Sequence, residues 1–192
     1  MRDVDDDRNN HLVVFMELIL IRHTSVAVPR GVCYGNSDVP LSGTFEEEAY
    51  EVRRKLHGYR FGRVYTSPLT RCVRLAEYCG YPEAIRDSRL KEMNFGEWEM
   101  KRFDEISDPR LQEWYDDYMN VAPTGGESSM SQKERFESFI RMLKRDCSGQ
   151  ETVAAFTHGG ILIHALVRYC GKTYKEAFGT ALPYGTILEL DI

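Results

Sequence analysis

Apolar residues along this chain fall into two patterns. Leu18 to Ile21 and Val153 to Phe156 are short unbroken runs, as expected of strands buried on both faces of a sheet. Each run stops on a histidine: Arg22-His23-Thr24 follows the first, and Thr157-His158-Gly159-Gly160 the second. Elsewhere the apolar positions recur at helical spacing. Phe45, Ala49, Val52 and Leu56 predict an amphipathic helix opened by a capping box of Thr44 with Glu47. Phe136, Phe139, Ile140 and Leu143 predict a later helix that Ser148-Gly149 stops. Arg63 to Thr66 reads as a second strand. After it, Ser67 as N-cap and Pro68 at the first helical position place Arg71 in the first turn of a helix. Ala84-Ile85-Arg86 reads as a short third strand, Ile161 to Tyr169 as a helix and Thr186 to Leu190 as a terminal strand. Two stretches lack a period. Ser25 to Ser42 contains Pro29, Gly31, Gly35 and Pro40 and is expected to be a loop. Phe103 to Ser128, rich in Trp, Tyr and Asp, is expected to form helices and loops over the site. The alternation of strands and helices predicts an α/β fold: a three-layer sandwich, its sheet mostly parallel with helices on both faces.

That architecture has a chemical consequence. Ligands of open parallel sheets bind beyond the carboxyl ends of the strands, so two strands ending in histidine bring both imidazoles to one crevice. Paired histidines beside an arginine suggest phosphate chemistry.

Composition narrows the surroundings of that chemistry. The 192 residues, 42% hydrophobic and 29% charged, suit one domain, expected over residues 16–192. A net charge of −5 leaves no basic footprint for nucleic acid. Five cysteines at irregular spacing, without a Cys-x-x-Cys pair, read as reduced thiols of a cytoplasmic protein. Cys72 and Cys79 share a helix face with Leu75 and Ala76 and read as core. No apolar run approaches the roughly 20 residues of a membrane span. The acidic start, Met1 to Asn10, is the reverse of a signal peptide. Residues 1–15 are expected to be a disordered extension, or to precede a true start at Met16. No cluster has zinc-ligand spacing, so no metal or cofactor is expected.

Four ordered motifs then carry a resemblance. Arg22-His23-Thr24, Ser67-Pro68-Leu69-Thr70-Arg71, Leu90-Lys91-Glu92 with Phe95-Gly96 and Trp98-Glu99, and His158-Gly159-Gly160 resemble, in order, those of the histidine phosphatase (phosphoglycerate mutase-like) superfamily. The resemblance implies a metal-independent phosphomonoesterase acting on a small-molecule phosphomonoester. It implies His23 as nucleophile, Arg22 and Arg71 as phosphate ligands, His158 as a second histidine donating to the phosphoryl oxygens, and Glu92 as proton donor to the leaving oxygen. Within the superfamily, the stretch Arg30 to Leu41 is similar to the α-ribazole phosphatases of cobalamin synthesis. Thr24, Arg30, Gly35 and Ser37 are accordingly further candidates for substrate binding. The glycolytic mutases carry Asn where this chain has Pro29, and Arg-His-Tyr where it has Met93-Asn94-Phe95; both departures count against a mutase. A broad sugar-phosphate phosphatase, a mutase or a phospho-ligand binding module stay open as alternatives, as do monomer and homodimer. Trp114, Tyr115 and Tyr118 are placed to flank a flat base.

Overall fold

Strand β1 (Glu17–Arg22) pairs on both sides and sends alternate side chains to opposite layers. The computed structural model describes residues 16–147 and 151–192; the expectations for residues 1–15 and for the Ser148-Gly149 helix stop lie outside these. Leu18 and Leu20 join Phe136, Phe139, Leu143, Ile161, Leu162 and Ala165 in one core. Ile19 and Ile21 join Ala49, Val52, Leu56, Cys72, Leu75 and Ala76 in the other. Burial on both sides explains why Leu18 to Ile21 is an unbroken apolar run.

The remaining strands are β2 (Arg63–Thr66), β3 (Ile85–Arg86), β4 (Thr152–Thr157) and β5 (Ile187–Asp191), in the sheet order β3-β2-β4-β1-β5. All pairs are parallel except β1 with β5. Helices α1 (Phe45–Lys55) and α2 (Thr70–Tyr78) pack on one face. Helices α4 (Ser129–Asp146) and α5 (Gly159–Tyr169) pack on the other. Between them lie α3 (Arg110–Asp116) and three 3-10 turns, Ser88–Leu90, Gly96–Trp98 and Phe103–Glu105. The three-layer sandwich with its mostly parallel sheet is thus as expected.

Three local details differ from the sequence reading. Thr44 precedes α1 but caps no backbone amide; its hydroxyl donates to Glu48 at 2.6 Å, so the capping box with Glu47 is absent. Ser67 is not the cap of α2, which starts at Thr70. The carboxylate of Asp38 reaches across to accept from the Thr70 amide at 2.8 Å and its hydroxyl at 2.5 Å. Finally, a short helix α6 (Tyr174–Phe178), unforeseen, opens with a full capping box between Thr173 and Glu176.

Candidate active site

The register of β1 on β4 builds the centre. Arg22 pairs with Thr157, so the next residues, His23 and His158, leave the sheet side by side, with ring centroids 5.1 Å apart. Both are buried. The Nδ1 of His23 lies 2.7 Å from the Thr24 carbonyl, which can only accept; Nδ1 therefore carries the proton and Nε2 keeps a lone pair. Burial first, then the charges of Arg71 and Arg22, lower its pKa to about 3 against the opposing bond to Thr24. Burial likewise holds His158 well below the ordinary histidine value, helped by His23 and the nearby arginines. Both imidazoles are neutral near pH 7.

Two arginines flank His23. Arg71, fully buried in the first turn of α2, donates to the carbonyls of Ser37 at 2.9 Å and Gly35 at 2.5 Å. Gly35 has no room for a side chain: a Cβ there would lie 1.8 Å from the Met93 carbonyl oxygen. Arg22 donates to the Leu182 carbonyl and lies under the Tyr184 ring, 4.5 Å from its centroid. The Nε of each arginine and the hydroxyl of Thr24 are buried without a hydrogen-bond partner. Buried donors are nearly always paired. Three left free beside a neutral imidazole make a site for an anion.

Glu92 closes the third side. Its Oε1 accepts from the Met93 amide at 3.0 Å and from Gln132 Nε2 at 3.0 Å, while Oε2 faces the Gly160 amide at 3.3 Å. Any side chain at Gly160 would strike this carboxylate, a Cβ coming within 2.4 Å of Oε1. Behind it, Gln132 Oε1 accepts from His164 Nε2 at 3.3 Å, and His164 Nδ1 accepts from the Tyr174 hydroxyl at 3.1 Å. Burial, aided by Arg135 and Lys133, lowers the pKa of His164 to about 4. From Glu92 a cavity of about 720 Å³ runs outward, walled by Met93, Phe95, Trp114, Tyr118, Ile163 and Phe178.

The structure therefore brings together Arg22, His23, Thr24, Arg71, Glu92 and His158, with Gly35 contributing its carbonyl to Arg71. Arg30 is exposed, and its guanidinium has no hydrogen bond or ion pair among the described residues. The Ser37 hydroxyl is not free for substrate, because Glu99 binds both it and the Ser37 amide. Tyr115 stands outside the cavity, 52% exposed. Four neighbours went unread in the sequence. Tyr34 and Tyr184, joined through their hydroxyls at 2.9 Å, lie over Arg71 and Arg22; Gln132 holds Glu92; and Ser67 touches His158. Ser67 and Tyr34 sat within stretches that carry the resemblance and could have marked them; Gln132 and Tyr184 did not. Among the described residues no group of His, Cys, Asp and Glu could hold a metal, and no helix is long and apolar enough to cross a membrane.

Several known proteins are similar to this chain over most of its length. The adenosylcobalamin/alpha-ribazole phosphatase of Escherichia coli K12 is 26% identical over 184 residues, covering 92% of this chain and 90% of that protein. A probable phosphoglycerate mutase GpmB of Klebsiella pneumoniae strain 342 is 31% identical over 135 residues, covering 65% and 61%. Among solved structures, a putative alpha-ribazole-5'-P phosphatase of E. coli superposes with a TM-score of 0.82 at 26% identity, over 92% of this chain and 90% of that one. The alpha-ribazole phosphatase of Shigella flexneri gives a TM-score of 0.82 at 25% identity, over 92% and 91%. With the model of histidine phosphatase superfamily branch 1 matching residues 18–192, from β1 through to the end of the chain, the protein belongs to that superfamily.

Proposed function

We propose that the protein hydrolyses a phosphomonoester through a phosphohistidine on His23. The observation that carries this reading is the neutral His23, its Nε2 lone pair set by the Thr24 carbonyl, among three unpaired buried donors. Phosphoryl transfer has a loose transition state, so positioning and charge neutralisation supply most of the catalysis. Arg22, Arg71 and Thr24 hold the phosphoryl oxygens. Nε2 of His23 attacks phosphorus while the ester P–O bond breaks, and Glu92 gives its proton to the departing alkoxide. His158 donates to a phosphoryl oxygen as charge builds there. Water, giving a proton to the Glu92 carboxylate, then attacks phosphorus, breaking the P–N bond and releasing inorganic phosphate with His23 restored. Rapid acid quench with labelled substrate, neutralised at once, should trap base-stable, acid-labile label on the wild type and none on His23→Ala. Normal turnover by that variant would remove His23 from the reaction.

The substrate we assign is α-ribazole 5′-phosphate. The names of the E. coli and Shigella relatives support it. So does the aromatic wall of Phe95, Trp114, Tyr118 and Phe178, beginning beside Glu92, where the alcohol of the ester leaves. A benzimidazole ring gains roughly 0.5–1.5 kcal/mol from such stacking beyond the area it buries. In competition, this ester should show a higher kcat/KM than 3-phosphoglycerate, ribose 5-phosphate or AMP; parity with any of them overturns the assignment while leaving the phosphatase reading intact.

A further inference from the structure

Ser67 follows β2 directly after Thr66, whose register partner on β4 is Phe156, and its amide donates to the Phe156 carbonyl at 2.8 Å. This sets the Ser67 side chain beside the strand end that carries His158. Its Oγ lies 2.8 Å from His158 Nε2, and neither residue has exposed surface. A buried hydroxyl must place its hydrogen on an acceptor, and a buried imidazole must satisfy whichever nitrogen bears its own. These two requirements decide the direction of the bond.

Besides His158, Ser67 Oγ meets the Leu69 amide, which donates to it at 3.4 Å and so takes a lone pair, not the hydrogen, and it meets the Cys72 thiol. Of its two acceptors among the described residues, His158 Nε2, at 2.8 Å, is the stronger for the hydroxyl hydrogen. Cys72 lies nearby, with Sγ 3.4 Å from Nε2 and 3.4 Å from the Thr157 carbonyl. Sulfur is a weak acceptor, and a thiol hydrogen turned toward Nε2 would equally require that nitrogen to be bare. Nδ1 has no hydrogen-bond partner among the described residues except a long approach to Cys72 Sγ at 4.0 Å.

We propose that Ser67 is a positioning residue that fixes His158 as the Nδ1–H tautomer, by donating its hydroxyl to Nε2, so that Nδ1–H is the group offered to the phosphoryl oxygen. The proposal rests on the role of His158 given above. It explains why a serine should follow β2 without capping α2: its hydroxyl is engaged by the histidine, and Asp38 supplies the missing cap. A neutral imidazole in the opposite tautomer would present a lone pair to an anion and repel it. Burial and the surrounding positive charges keep the ring neutral, so the tautomer, not the charge, is the variable.

Nitrogen-15 histidine spectra read tautomers directly, and the His158 signals are assigned by their loss in His158→Asn. The wild-type enzyme should show a pyrrole-like Nδ1 and a pyridine-like Nε2 at His158. Ser67→Ala should reverse this pattern and lower kcat by about 10-fold to 10²-fold with little change in KM, less than or near the cost of deleting an oxyanion donor. Ser67→Cys, which keeps a weak donor, should fall between. A wild-type His158 protonated on Nε2 overturns the proposal, and that measurement needs no variant to fold. So does a Ser67→Ala enzyme that keeps the Nδ1–H pattern. Full turnover by His158→Asn would instead remove the role of His158 itself, a failure separate from that of the tautomer.

Discussion

Glu92 meets different surroundings at its two oxygens. Oε1 accepts from Met93 and Gln132, each at 3.0 Å, whereas Oε2 faces one amide at 3.3 Å. Two donors make Oε1 the oxygen that stays bare, so a proton destined for the leaving group belongs on Oε2. Gln132 cannot turn its amide over without losing this bond and its longer contact to the Lys91 carbonyl. In its present orientation its oxygen meets the N–H of His164. Glu92→Gln should then cost roughly 10²–10⁴-fold on an alkyl phosphate, whose leaving oxygen needs the proton, and far less on p-nitrophenyl phosphate, whose does not. Rates with both esters check this; equal losses would take Glu92 out of the role of acid.

Among the elements, α2 and the loop before α1 depend on each other. Asp38 caps α2 at Thr70, and three residues earlier the Gly35 carbonyl accepts from Arg71 of the same helix. Asp38→Ala should lower stability by about 1 kcal/mol, the usual cost of a lost cap, and should raise KM because the carbonyls that orient Arg71 loosen. Asp38→Asn, which retains an acceptor, should recover most of both. Urea midpoints and KM values measured together test this; a lost kcal/mol with unchanged KM would separate the cap from the site. The same elements show how much could be read from sequence. Strands β1 and β4 were legible because burial on both faces leaves Leu18 to Ile21 and Val153 to Phe156 wholly apolar, and their shared register then brought His23 to His158. Helix α4 was legible from its stripe of Phe136, Phe139, Ile140 and Leu143. The start of α2 was misread because the local preference for a Ser-Pro start yields to a tertiary bond from Ser67 to His158. Ser37 was misread for the same reason, its hydroxyl being claimed by Glu99 from far along the chain. The pair Tyr34–Tyr184 joins loops that no local pattern connects. Helix α6 is too short to show a period, although Thr173 and Glu176 carried its capping box in plain view.

For the whole molecule, the notable electrostatic feature is a set of three buried histidines held neutral. The pKa of His23 is lowered to about 3 and that of His164 to about 4, with His158 also well below its ordinary value, burial being the largest cause in each. In the unfolded chain all three titrate near 6.5. The sign follows from proton counting. Above about pH 6.5 neither state binds these protons, and stability is fully present. As pH falls below that value the unfolded chain takes up protons that the native state refuses, and stability declines until the native pKa values are reached. Each histidine contributes up to about 1.4 kcal/mol per pH unit in this window, so the three together approach about 4 kcal/mol per unit. Asp87 and Glu99 act in the same direction at lower pH: burial opposes their ionisation, but hydrogen bonds from Arg89, and from Ser37, Asn36 and Phe95, hold their pKa values down. Set against a typical total of about 5–15 kcal/mol, this slope removes a large fraction of the stability within one or two pH units. Urea midpoints between about pH 7.5 and pH 5 should therefore fall steeply, with close to three protons taken up on unfolding at the acid end. His164→Gln, chosen because it lies behind Glu92 and not against His23, should flatten that slope by about one third. A midpoint that does not move with pH would mean that these imidazoles are not buried as neutral groups, and the lone pair on which attack by His23 depends would lose its physical basis.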